Sequence, residues 1–143
     1  TLQPLLDENN SNPSRISVFN LWRRFDKDGV DAPFALCDSR TVSEKELIPT
    51  DLFNYGKQEE NTETLADENG FTVEIYQSMN SDDHQWYFYP KMNREEVVMF
   101  KTYDSNEKPF MPTLHSAFDD AVHAREGATP RESIEVRAIC FYD

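Results

Sequence analysis

Apolar and polar positions alternate most cleanly at the end of the chain. From Pro130 to Phe141, Ile134, Val136, Ala138 and Cys140 fall on one face and Arg131, Ser133, Glu135 and Arg137 on the other, the period of two expected of a strand. The first row suits a core, and the second suits a solvated face or the lining of a polar lumen. An earlier run, Ile16–Phe25, separates Ile16, Val18, Asn20 and Trp22 from Phe19, Leu21 and Arg23. Asn20, on an otherwise apolar face, is either a satisfied core amide or a ligand to a bound acid. Pro33–Asp38 reads as a short buried strand. Phe71–Gln77 and His84–Tyr89 read as two strands joined in a hairpin across Ser78–Asp83, followed by strands at Val97–Asp104 and Phe110–Phe118.

The segments between these runs carry turn chemistry. Thr1–Ser14 reads as a helix end and loop, Asp26–Asp31 as a charged turn, and Asn93–Glu96 as a tight turn. Ser43–Glu46 offers a capping box for one helical turn, which Pro49 is expected to stop. Phe53–Gly70 is acidic and poor in apolar residues, the composition of a mobile connection between strands or of a lid. Six or seven short strands with little helical periodicity predict an all-β chain, an antiparallel sandwich or half-closed barrel.

At 143 residues the chain is one domain at most. Its net charge of −13, from 27 acidic and 14 basic residues, excludes a phosphate backbone or an anionic membrane surface as partner. Cys37 and Cys140 lie in apolar strand contexts without CxxC spacing, which predicts reduced thiols. With no leader or membrane-spanning run in the sequence, the expected location is cytoplasmic.

Candidate chemistry gathers near the end of the chain. His115 sits in a strand-like run, whereas His84 lies at a turn and His123 beside Asp120, Arg125 and Glu126, so both of those read as surface histidines. A neutral imidazole is a good ligand for iron. Arg131 and Ser133 are two residues apart on one strand face, where a guanidinium fork and a hydroxyl can grip one carboxylate.

Trp86–Pro90, Glu96–Ser105, Leu114–Asp120 and Pro130–Arg137 together resemble the fungal and bacterial hydroxylase/desaturase family that includes gibberellin desaturase and the cephem methoxylase component. Asn20–Arg23, Ala35–Arg40 and Pro49–Leu52 fit as well, so the resemblance runs from about residue 16 onward. Where family members commonly follow Trp-Arg with proline, this chain has Arg24. The resemblance implies an iron- and 2-oxoglutarate-dependent oxygenase with a double-stranded β-helix, or jelly-roll barrel, incomplete in this chain. It implies His115 as the distal metal ligand and Arg131 and Ser133 as the grip on 2-oxoglutarate, with Asn20 also facing that cosubstrate. Trp86, Tyr87 and Tyr103 are expected to face a small secondary metabolite, and dioxygen is the other substrate.

Family members are longer and carry a His-x-Asp iron motif before the strand equivalent to Asn20–Arg23. No His-x-Asp or His-x-Glu occurs here. The expectation is that residues 1–143 are the carboxy-terminal part of one oxygenase barrel and inactive by themselves, with hydroxylation or desaturation by the full-length protein. The rival expectation is a non-catalytic barrel that binds a small acid or a partner through Arg131 and the Trp86–Tyr89 strand. Arg137 lies six residues beyond Arg131, about 20 Å at about 3.3 Å per residue. It is therefore expected to form a structural ion pair, with Glu96, Asp104 or Asp119 as candidate partners. The sequence leaves the oligomeric state open.

Overall fold

The structure, a computed structural model, describes residues 12–25, 32–55, 71–120 and 130–143. Eight strands follow in order: β1 (Arg15–Arg24), β2 (Phe34–Cys37), β3 (Leu47–Tyr55), β4 (Phe71–Ser78), β5 (Trp86–Phe88), β6 (Val98–Asp104), β7 (His115–Ala117) and β8 (Ser133–Tyr142). They divide between two compact units, Thr1–Val42 with His84–Asp143, and Ser43–Asp83.

The larger unit contains two three-stranded antiparallel sheets, β6-β1-β8 and β5-β2-β7. In the first, β1 is the central strand because its alternating side chains give it one fully apolar-to-amide row: Val18, Asn20 and Trp22 are all buried. The sheets meet through aromatic rings. Trp22 of β1 stacks on Phe34 of β2 with centroids 4.2 Å apart and planes within 7°, and Phe100 of β6 meets Phe34 at 5.8 Å. Trp22, Phe100 and Met92 form the buried cluster, with Phe34, Leu36 and Val98 packed against it. Such offset and tilted ring pairs add to the area they remove from water.

Register decides which row of β8 faces this interior. Arg137 stands opposite Asn20 and Glu135 opposite Trp22, and directly opposed residues of an antiparallel pair project from the same face. The polar row of β8 therefore shares the face of the buried row of β1. The apolar row turns outward, leaving Ile134 and Val136 exposed, the reverse of the simplest reading of that alternation.

The smaller unit is the ribbon β3-β4, with Thr50 opposite Ile75 and Leu52 opposite Val73. The capping box before it forms as expected: the Glu46 carboxylate accepts from the Ser43 N–H at 2.8 Å, over a single 3₁₀ turn, Glu44–Glu46. Pro49 does not end an element. It lies inside β3, a strand with one hydrogen-bonded neighbour, where a residue without an N–H can face the unpaired side.

The strand at Leu47–Tyr55 also corrects the expectation that loop begins at Phe53. The expected hairpin between the runs near 71–77 and 84–89 does not form: β4 pairs with β3, whereas β5 pairs with β2. The run near 110–118 yields only the three residues of β7. The expectations for 1–11, 26–31, 56–70 and His123 fall outside the described residues.

Candidate functional site

His115 begins β7 and stands opposite Leu36 of β2, which faces the aromatic core. Its ring lies 4.8 Å from Phe100 and 5.8 Å from Phe34, centroid to centroid. Nδ1 lies 3.3 Å from the Thr113 carbonyl. A carbonyl can only accept, so in this contact Nδ1 is the donor. Nε2 faces the Glu135 carboxylate at 4.0 Å.

Glu135 is held from below. Its Oε1 accepts the Asn20 amide N–H at 2.7 Å, and the Asn20 carbonyl oxygen accepts Arg137 Nε at 3.0 Å. Asn20 is 0% exposed, and both ends of its amide meet protein partners, the condition for burying such a group. Arg137 Nη2 also lies 3.8 Å from Glu135. Arg137 thus finds its carboxylate on its own strand rather than at Glu96, Asp104 or Asp119, because β8 turns alternate polar residues to one side. Asp104 is engaged elsewhere, by Arg15 and Lys101.

Arg131 precedes β8 and belongs to a different neighbourhood. One guanidinium N–H donates to the Ala32 carbonyl at 2.9 Å, and the group lies over the Trp22 ring, 5.5 Å from its centroid. It lines a cavity of about 370 Å³ with Trp22, Phe34, Tyr87, Met92 and Asp120, a size and aromatic character suited to a small ligand. His115 is not among the lining residues.

Ser133 is exposed at the start of β8, opposite Arg24. Of the three aromatic candidates, Tyr87 lines the cavity. Trp86 is exposed beside His84, and Tyr103 is exposed against Phe110. The structure thus joins His115 and Asn20 through Glu135, and places Arg131 with Tyr87. Sequence reasoning passed over Glu135, although the same alternation that marked Arg131 and Ser133 puts it in their row.

Beyond this centre, Asp104 is 1% exposed. Its oxygens accept from Arg15 Nε at 2.9 Å, from Lys101 Nζ at 2.8 Å and from the Asn106 N–H at 3.1 Å. The hydrogen bond from Arg15, then that from Lys101, holds its carboxyl far below the ordinary range. Asp38 accepts from Arg40 at 2.5–3.1 Å, and this lowers it to about 2.

As for iron, the His115 imidazole fits as one ligand, with its tautomer fixed by Thr113 in the way ligating histidines usually are. Among the described residues no group of three or more His, Cys, Asp or Glu side chains is close enough to hold a metal ion.

Residues 3–141 match the family model described as "Oxidoreductase/YMDC permease-like domain". The chain belongs to this family. It is 30% identical over 128 residues to the Fe(II)/2-oxoglutarate-dependent dioxygenase nvfI of Aspergillus novofumigatus, covering 90% of this chain and 41% of that protein. It is 27% identical to the hydroxylase/desaturase asaB of Aspergillus flavus, covering 91% of this chain and 57% of that one. The solved structure of the iron and alpha-ketoglutarate-dependent endoperoxidase NvfI superposes with a TM-score of 0.70 at 29% identity, over 90% of this chain and 43% of that chain.

The chain's relatives named here are thus a fungal Fe(II)/2-oxoglutarate-dependent dioxygenase and a fungal hydroxylase/desaturase. Their jelly-roll fold is the one expected from the sequence. The chain spans 41% and 57% of the length of the two curated relatives named here. No helix among the described residues is long and apolar enough to cross a membrane.

Proposed function

We propose that this chain is part of an Fe(II)- and 2-oxoglutarate-dependent oxygenase that hydroxylates or desaturates a small secondary metabolite. The observation that carries the reading is His115 Nε2 facing Glu135, with Nδ1 against the Thr113 carbonyl, in a chain with the fold of NvfI. Iron, when bound, supplies the oxidising chemistry with dioxygen and 2-oxoglutarate, and the protein supplies aim and exclusion of water. His115 contributes one ligand, and the remaining ligands come from the part of the protein that this chain does not span. Arg131 grips the far carboxylate of 2-oxoglutarate with Ser133, and Tyr87 presents the cavity wall to the substrate. Free Cys37 and Cys140 suit a reducing cytoplasm.

In the full-length protein, His115→Ala is expected to abolish iron-dependent turnover while circular dichroism and melting stay unchanged. Undiminished turnover with normal iron content would overturn the assignment. Arg131→Ala is expected to raise the 2-oxoglutarate requirement strongly, since truncating one partner of a buried charged pair costs about 2–5 kcal/mol.

One observation favours a second assignment of the anchor: Arg137, not Arg131, is linked through Asn20 and Glu135 to His115. Should Arg137→Ala weaken 2-oxoglutarate binding while Arg131→Ala leaves it within a few-fold, the two arginines exchange roles. If neither variant changes 2-oxoglutarate binding and His115→Ala leaves iron binding intact, the non-catalytic barrel is the better reading.

A further inference from the structure

Tyr87 to Met92, six consecutive residues, all line the cavity of about 370 Å³ beside Arg131. A regular strand turns alternate side chains to opposite faces, so a continuous lining run means that the chain leaves β5 at Phe88 and wraps the cavity. Three rings of that run, Tyr87, Phe88 and Tyr89, are 59%, 38% and 64% exposed. Aromatic surface left to solvent around a cavity is what a ligand covers when it binds.

The protein itself holds these rings in place. The Tyr87 hydroxyl donates to Gln85 Oε1 at 3.1 Å, and Phe88 meets Phe118 edge-on at 5.1 Å. Trp22 and Phe34, which also line the cavity, are stacked with centroids 4.2 Å apart. Rings already fixed lose little freedom when a further ring joins them, and offset stacking adds to the burial of apolar area. 2-Oxoglutarate does not account for this lining. It is an open-chain diacid, which can pair with Arg131 but has no ring to set against five aromatic side chains.

We infer that the cavity binds a flat aromatic compound, which under the proposed function is the substrate, beside a 2-oxoglutarate whose far carboxylate stays at Arg131. Its role as substrate rests on the oxygenase reading. The stacking site does not, because His115 is not among the lining residues. A saturated compound of the same size would bury similar apolar area but forgo the ring–ring contacts, each of which contributes about 2- to 10-fold in affinity.

The test is calorimetric binding of 2-naphthol and of its saturated counterpart, decahydro-2-naphthol, to the full-length protein, first free of metal and then with Mn²⁺ and 2-oxoglutarate in excess. 2-Naphthol is expected to bind about 10-fold more tightly than the saturated compound and to keep that affinity when 2-oxoglutarate is present. Tyr89→Leu keeps an apolar side chain of similar reach without the ring, and should weaken 2-naphthol about 2- to 10-fold at an unchanged melting temperature. Equal affinity for the two compounds, or binding of neither, overturns the inference. Displacement of 2-naphthol by 2-oxoglutarate overturns it too, since the cavity would then be the cosubstrate's own. A preference for 2-naphthol that Tyr89→Leu leaves untouched puts the site elsewhere and overturns it as well; should Tyr89→Leu not fold, Tyr87→Leu takes its place. If the preference and its loss are both seen but the protein binds neither Mn²⁺ nor 2-oxoglutarate, the oxygenase reading fails and the aromatic site stands.

Discussion

Asp104 combines near-complete burial with three donors of positive or partial positive charge, so its ionised form is tied to the folded state. Its carboxyl is lowered in the native protein and ordinary in the unfolded one, so the contribution to stability is fully present above the unfolded value near 4. It is lost as pH falls below that value toward the folded one. Melting temperature followed from pH 7 to pH 2 should therefore decline for the wild type, and Asp104→Asn should start lower and decline less. Equal acid slopes for the two proteins would show that Asp104 is not the responsible group. Asp38 titrates near 2 because of Arg40, and Arg40→Ala should return it toward the ordinary range, a shift that NMR titration of the Asp38 carboxyl would detect. At this scale the sequence singled out His115, Asn20 and Arg131, since each is an unusual residue type for its run. It did not single out Glu135, because alternation places residues in rows but does not say which row faces the other sheet.

Strand positions were legible where alternation is strong: β1, β2, β4 and β6 lie within a residue or two of their expected runs, and β8 begins three residues later than expected. Pairing was less so. Phe71–Ser78 and Trp86–Phe88 are close in sequence and both rich in β-formers, which suggested a hairpin, yet each finds a partner in a different strand. Local propensity cannot report such a choice, because it is made by side-chain packing between strands distant in sequence. The Leu47–Tyr55 strand was obscured by Pro49, a residue that breaks an interior strand but is tolerated where one edge is unpaired. The closest ring pair at the junction of the two larger sheets is Trp22 on Phe34. Trp22→Ala should destabilise the protein by about 3–5 kcal/mol, as deletion of a buried aromatic side chain does, whereas Tyr76→Ala, on an exposed position of β4, should change stability by no more than about 0.5 kcal/mol. Urea titration at constant pH would separate the two, and equal midpoints would show that the ring pair does not hold the sheets together.

At the scale of the larger unit, the same register that puts Glu135 and Arg137 on the face of Trp22 and Asn20 leaves an apolar row on the opposite face of the β6-β1-β8 sheet. Met99, Leu21 and Val136 stand side by side across the three strands, with Met99 65% and Val136 55% exposed. Ile134 continues the row, and β8, ten residues long, is hydrogen-bonded to β1 alone among the described strands. A long edge strand beside an apolar face is a template for pairing with another chain. The 143-residue polypeptide produced by itself is therefore expected to self-associate through this face, despite a net charge of −13 that opposes association at long range. Raising the salt concentration should promote the association, because it screens the repulsion and leaves the apolar contact intact. Val136→Lys places a charge at the centre of the row without touching Glu135 or Asn20, and should shift the population toward monomer in light scattering at equal concentration. Persistent association of the Val136→Lys protein, or a wild-type chain that stays monomeric in high salt, would remove this face as the contact.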